Sequence, residues 1–140
     1  LSKVIAIDYG KARIGVAISD ERAVIALPLK NFQATSGHQK MIEQLIAFLS
    51  TLQYTTIVVG LPLLMNGKDS DITKEVRAFA ALLEAKLAKP IVLWDERLTS
   101  KQAEKLLSEG AVKRKDRTKK VDTMAALLIL QSYLDSKNNS

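Results

Sequence analysis

The sequence predicts an α/β fold on a mixed five-stranded sheet, three antiparallel strands then two parallel additions, flanked by helices. Three observations carry that expectation. Three short apolar segments fall within the first 33 residues, close enough in sequence to pair as an antiparallel meander. Two further β-branched, apolar runs, TTIVVG at 55–60 and IVLWDE at 91–96, read as parallel strands covered on both faces. Segments with apolar residues at three- and four-residue spacing separate and follow them, as right-handed crossovers require.

Taken in order, KVIAIDY (3–9) is an apolar run with an acid near its end, closed by Gly10. After the turn GKAR comes IGVAIS (14–19), and AVIALPLKNF (23–32) is a third extended piece whose Pro28 suits a sheet edge. Ser36-Gly37 opens a helix carrying Ile42, Leu45, Ile46, Leu49 and Leu52 on one stripe. Beyond the fourth strand and the loop LPLLMNGKDS, a helix over about 71–88 presents Ile72, Val76, Phe79, Leu83 and Leu87. Pro90 separates it from the fifth strand. Thr99 with Gln102 makes a capping box, and Gly110 stops a short helix over 100–109. A final helix is expected from about Val121 to Asp135.

The 140 residues suit one compact domain, with a core large enough to form without crosslinks. Absence of cysteine excludes zinc fingers, iron–sulfur sites and thiol catalysis. The net charge of +6 is unevenly placed. Residues 113–120, KRKDRTKK, set six basic side chains (Lys113, Arg114, Lys115, Arg117, Lys119, Lys120) against the single acid Asp116. The rest of the chain is almost neutral. Such a strap would collect phosphodiester backbone without reading sequence, and the affinity would fall steeply with salt; the plain alternative is a solvated charge run. The longest apolar run, Met124 to Leu130, is far short of the roughly 20 residues a membrane span needs, so no membrane partner is expected. With no secretory-signal layout, a cytoplasmic location is the expectation.

Asp8 ends one apolar strand, Asp95 and Glu96 end another, and Asp122 enters an apolar helix. Burial of these carboxylates is costly unless they are paired or bound to a cation. Each has a plain reading: a turn cap for Asp8, a salt-bridged rim for Asp95-Glu96-Arg97, a helix N-terminal acid for Asp122. Together at one sheet edge, they fit divalent cations better. Oxygen donors without cysteine or a histidine cluster select Mg²⁺ or Mn²⁺, one ion or two, and the chemistry natural to such a site is phosphodiester hydrolysis.

Four segments then point to a family. DYGKARIGVAISD (8–20), VVGLPLLMNG (58–67), WDERLTS (94–100) and VDTMAALLILQSYL (121–134) together resemble the YqgF/RuvX-type family, over nearly the whole chain. Its members are described as pre-16S rRNA nucleases and as Holliday-junction-resolvase-like proteins with an RNase H fold. The resemblance implies an RNase H-like nuclease domain over 1–140, a hydrolase acting on ester bonds. It implies Asp8, Glu96 and Asp122 as catalytic metal ligands, with Asp95 beside Glu96 as the alternative ligand. It also implies a structured rRNA precursor, in 5′-end maturation of the small-subunit rRNA, as substrate, with branched DNA as the rival. One departure from the wider RNase H pattern is Gly60-Leu61-Pro62 after strand four, where many relatives carry an acid. A strand-five carboxylate must then reach across strand four, which favours the longer Glu96 over Asp95, and strand alternation puts the two on opposite faces.

Gly10, Lys11 and Arg13 surround the first turn near Asp8 and could receive phosphates; a plain hairpin turn is the alternative. Arg97 either touches substrate or serves a salt bridge. Gly60 to Gly67 with Lys68 has the wrong spacing for a Walker A loop, so nucleotide binding is rejected, and the loop is read as a turn beside the active edge. His38, the only histidine, is read as solvated and partnerless, and Trp94 and Phe79 as core residues. Aromatic content of 5% argues against recognition dominated by base stacking. Two competing readings remain: a non-catalytic RNA-binding assembly factor on the small-subunit precursor, and half of an actin- or sugar-kinase-like ATPase.

Overall fold

The computed structural model describes the backbone of residues 2–99 and 117–139 and the side chains of 2–99 and 123–139. The elements are β1 (Val4–Asp8), β2 (Arg13–Ser19), β3 (Ala26–Gln33), α1 (His38–Leu49), β4 (Thr56–Leu61), α2 (Asp71–Leu87), β5 (Ile91–Asp95), a 3₁₀ turn (Glu96–Leu98) and α3 (Arg117–Asn138). The sheet order is β3-β2-β1-β4-β5, antiparallel between β3, β2 and β1 and parallel from β1 through β4 to β5. This is the expected mixed architecture.

Alternation along the central strands divides the core in two. Ile5, Ile7, Ile57 and Val59 face α1 and α2, where they meet Met41, Leu45, Leu49, Val76, Phe79 and Leu83. Val4, Ala6 and Val58 face α3 and meet Ala126, Leu127, Leu130 and Leu134. Alanines at 6, 17, 26 and 126 keep this second layer thin, so the helix lies close to the sheet. Gln131, buried in that layer, locks the helix to the β2–β3 hairpin: its Oε1 accepts from Ala26 N–H at 2.9 Å, and its Nε2 donates to the Val24 carbonyl at 2.9 Å.

Boundaries differ from the sequence expectation where side chains compete for backbone. β3 begins at Ala26 rather than Ala23, because the Asp20 carboxylate accepts from Val24 N–H at 2.8 Å and Ile25 N–H at 2.9 Å and holds a turn, with Ala23 at φ 57°. α1 stops at Leu49, so Leu52 packs from beyond the helix. A Ser70–Thr73 capping box opens α2, and the left-handed Ala88 closes it. β5 ends at Asp95, one residue early, and Glu96 belongs to the 3₁₀ turn. α3 is already helical at Arg117, the first described residue after 99 and four residues before the expected Val121: the basic segment has no Gly or Pro to stop a helix, and Lys and Arg are good helix formers. The expected helix over 100–109 and the Thr99–Gln102 capping box lie outside the described residues. Pro28 sits on the edge strand β3, as its missing N–H requires.

Candidate active site

The carboxyl ends of β1, β4 and β5 lie side by side, with β4 in the middle. Asp8 is the last residue of β1, on the face that packs against α3, the same face as Val4 and Ala6. Glu96 follows β5 directly and lies close enough to Asp8 for the two charges to repel. Both are half-buried. Burial pushes the Asp8 carboxyl above its ordinary range; burial first, then the charges of Asp8 and Asp95, does the same to Glu96.

Gly60 allows this approach. A Cβ on Gly60 would sit 3.0 Å from Glu96 Oε2 and 2.4 Å from Ile129 Cδ1 of α3. The bare backbone at the end of β4 is therefore the floor over which the Glu96 side chain runs toward β1. An acid on strand four would fill the space that the strand-five carboxylate occupies.

Asp95 is differently engaged. Its carboxylate receives Arg97 Nε at 3.0 Å and Nη2 at 2.8 Å and caps the Arg97 N–H at 2.9 Å, which holds it below the usual carboxylate range. Arg97 also donates from Nη1 to the Met65 carbonyl at 3.1 Å, so the guanidinium ties the 3₁₀ turn to the β4–α2 loop. That loop is self-bonded: Leu64 N–H donates to the Lys68 carbonyl, Gly67 N–H to the Leu64 carbonyl with Gly67 at φ 84°, and Arg77 pairs with Asp69.

Asp122 lies in the second turn of α3, four residues before Ala126 and seven before Ile129, which both pack on the sheet. Its backbone position therefore heads the stripe that packs on the sheet, and the first turn of α3 contains no acid. Arg117, Lys119 and Lys120 fall in the opening turns of this helix. The side chains of these four residues, and Lys113, Arg114 and Lys115 entirely, lie outside the described residues.

On the opposite face His38 is exposed, as expected, but it is not partnerless. Its Nε2 is 3.0 Å from the Tyr9 hydroxyl and its Nδ1 is 3.1 Å from the Lys11 carbonyl. The Tyr9 hydroxyl donates to Glu75 Oε2 at 2.5 Å, and Glu75 Oε1 is 3.6 Å from Lys11 Nζ. Tyr9 and Lys11 bind Glu75 and hold its carboxyl below the ordinary range. The histidine was illegible as a partner because Tyr9 is 29 residues away. The network fixes the Gly10–Arg13 turn beside Asp8, with the Lys11 side chain exposed. Gly10 meets an internal demand: a Cβ there would lie 2.7 Å from the Arg13 carbonyl oxygen.

Among the described residues, neither Asp8 nor Glu96 has a cation or hydrogen-bond donor on its carboxylate, and no three acidic or histidine side chains form a cluster. Two half-buried, mutually repelling carboxylates of hard oxygen donors fit a divalent cation of the Mg²⁺ or Mn²⁺ class. A thermal measurement checks that fit without activity. Since both carboxyls are raised in the folded state, stability is lost as pH rises through their folded values. Asp8→Asn and Glu96→Gln should each raise Tm at pH 7, and the gain should vanish below the ordinary values of 3.8 and 4.5. Mg²⁺ or Mn²⁺ should raise the Tm of the unaltered protein at pH 7 more than that of either variant; equal shifts would argue against an ion at these carboxylates.

Comparison with known proteins adds sequence and fold relationships. A family described as "RuvX: Holliday junction resolvase" matches residues 2–136. A protein of Protochlamydia amoebophila named "Putative pre-16S rRNA nuclease" is 44% identical over 142 residues, covering 97% of this chain and 95% of that one. A Dictyoglomus thermophilum protein of the same name is 38% identical over 136 residues, covering 97% of each. Among solved structures, T. thermophilus RuvC in complex with a Holliday junction substrate superposes with a TM-score of 0.67 at 10% identity, covering 100% of this chain and 98% of that one. At that identity the likeness shows a common RNase H-like fold. Among the described residues, no helix is long and apolar enough to cross a membrane.

Proposed function

The chain belongs to the RuvX family, and from that membership we propose that it is a nuclease that hydrolyses phosphodiester bonds at the Asp8–Glu96 edge of the sheet. The observation that carries this reading is the pair of half-buried carboxylates, unpartnered among the described residues, brought together across Gly60. Nothing in a stable fold needs them there, and their repulsion costs stability. Asp8, Glu96 and, from its place on α3, Asp122 would hold one or two Mg²⁺ or Mn²⁺ ions. The bound cations would supply neutralisation of phosphate charge and a lower pKa for the attacking water. Hydrolysis adds the water oxygen to phosphorus as the bond to the leaving sugar oxygen breaks, and a proton passes to that oxygen.

The remaining residues bind and orient. Arg13 and the exposed Lys11, on the turn held by Tyr9, Glu75 and His38, would take phosphates flanking the scissile one, Lys11 on leaving its 3.6 Å pairing with Glu75. The strap residues Lys113, Arg114, Lys115, Arg117, Lys119 and Lys120, which precede Asp122 in the chain, would gather phosphodiester backbone. Arg97 acts from behind, fixing Asp95 and the β4–α2 loop.

The substrate we propose is the precursor of small-subunit rRNA, cleaved in maturation of its 5′ end, on the strength of the relatives' names. A cytoplasmic site of action follows from that substrate. The family's description makes four-way junction DNA the rival. A cleavage assay with rRNA precursor and junction DNA side by side, with Mn²⁺ or with chelator, tests both. Metal-dependent cutting of the precursor near its mature 5′ end, with the junction spared, is expected. Preferential cutting of the junction would transfer the activity to DNA. Tight, salt-sensitive RNA binding without turnover would mean a non-catalytic assembly factor.

The strap makes a separate prediction. Neutralising its six cations should weaken RNA binding and flatten the dependence of log K on log salt by about 5, at roughly 0.9 per duplex phosphate released. Circular dichroism should show the helix content unchanged. An unaltered salt slope would mean that the strap does not touch substrate.

A further inference from the structure

At the outer edge of the sheet, β3 and the last turns of α1 enclose an open cavity of about 610 Å³, lined in part by Lys30, Asn31, Phe32, Gln33, Gln44 and Phe48. We propose that this cavity is a second substrate subsite, which receives one unstacked base of the nucleic-acid strand while Lys30 takes an adjoining phosphate. The proposal rests on the nuclease reading for its ligand class but not for its geometry.

The wall of the cavity is aromatic. Phe32 and Phe48 meet edge to face, with centroids 5.7 Å apart at 62°. Phe32 is buried and belongs to the core, whereas Phe48 is half-buried and keeps ring surface open to the cavity. In the free protein the Lys30 ammonium lies 5.3 Å from the Phe32 centroid and 4.8 Å from that of Phe48. An exposed contact of this kind is weak, so a base can take the ring face while the flexible lysine turns to the phosphate behind it. Among the described residues the cavity lining contains no acid. The amides of Asn31, Gln33 and Gln44 are held by no hydrogen bond within the described residues, which leaves donors and acceptors for base edges.

Position links the cavity to the active edge. Gln33 pairs with Arg13 in the β2–β3 register, and Ala34 N–H donates to the Ala12 carbonyl at 2.9 Å, so the end of β3 is bound to the turn that carries Lys11 and Arg13. Two strand spacings separate β3 from β1, about 10 Å. Phe32 packs on the α1 face whereas Asp8 lies on the α3 face, so a strand that reaches both would pass around the β3 edge of the sheet. A peptide strand added to the open edge of β3 fits less well. Pro28 removes one donor, and a register shift at Val16/Ala17 bends the ladder.

The test uses the full chain with Asp8→Asn for binding and the unaltered chain for cleavage. Fluorescence anisotropy with a short single-stranded RNA should show about tenfold weaker binding for Phe48→Leu, the range seen when a stacking side chain is lost. Lys30→Met should weaken binding and lower the salt slope by about 1. Because Phe48→Leu could also disturb α1, 4-thiouridine crosslinking to the chain with Phe48 intact provides a second readout, with adducts expected within 30–33 or 44–48. If both variants bind like their parent and the adducts map elsewhere, the subsite is overturned, while cleavage by the unaltered chain still supports the nuclease reading. If the variants lose binding and the unaltered chain cleaves nothing, the subsite stands and the nuclease reading falls.

Discussion

Replacing Asp8, Glu96 or Asp122 singly by its amide is expected to lower kcat on rRNA precursor by on the order of 10³-fold, the scale of losing one charged group that acts at a phosphoryl centre. Asn and Gln keep the shape and hydrogen-bonding reach of the acids and remove only the charge, so a lost fold would not explain the result. For Asp8 and Glu96 the opposite is expected of stability, which should rise at neutral pH as their repulsion is relieved. A gain in Tm joined to a loss of activity is the signature of groups kept for chemistry. Asp95→Asn serves as the contrast. Its carboxylate is spent on Arg97, so its loss should loosen the 3₁₀ turn and the Met65 loop and lower activity far less. Folded amide variants of all three acids that cleave at the unaltered rate would end the metal-ligand assignment.

Gly60→Ala is the second change with a large expected effect. The added methyl would lie 2.4 Å from Ile129 Cδ1, inside any real contact distance, and 3.0 Å from Glu96 Oε2. Either α3 moves away from the sheet or the Glu96 side chain is displaced. Overpacking of this kind costs about 1–3 kcal/mol, which urea unfolding would measure, and cleavage should fall with it. Combining it with Ile129→Val removes the colliding Cδ1 and should recover most of the stability. Activity should stay low in the double variant, because the contact with the Glu96 carboxylate persists. Recovery of both together would show that Gly60 serves only the packing of α3.

The central strands were legible because TTIVVG and the apolar run ending at Asp8 have one reading, buried on both faces, and their order with the intervening helices leaves few topologies. The helix stripes were legible from periodicity, whereas the start of β3 and the end of β5 moved where Asp20 and Asp95 took backbone hydrogen bonds for turns. Asp8 and Glu96 were visible as acids at the ends of apolar strands. Gly60 was visible only as a missing acid, since nothing local says which side chain fills the space above a glycine. The His38 partners were out of reach for the same reason.

The sequence by itself determined the α/β class, the two faces of the sheet, the absence of thiol chemistry and the concentration of positive charge in residues 113–120, because each depends on composition, periodicity or local charge. Only the tertiary structure decided that Glu96 rather than Asp95 turns toward Asp8, that Arg97 is committed to Asp95, and that Tyr9, Glu75 and His38 brace the first turn. Those outcomes depend on contacts between residues far apart in the chain, made specific by shape and distance after the strands have paired.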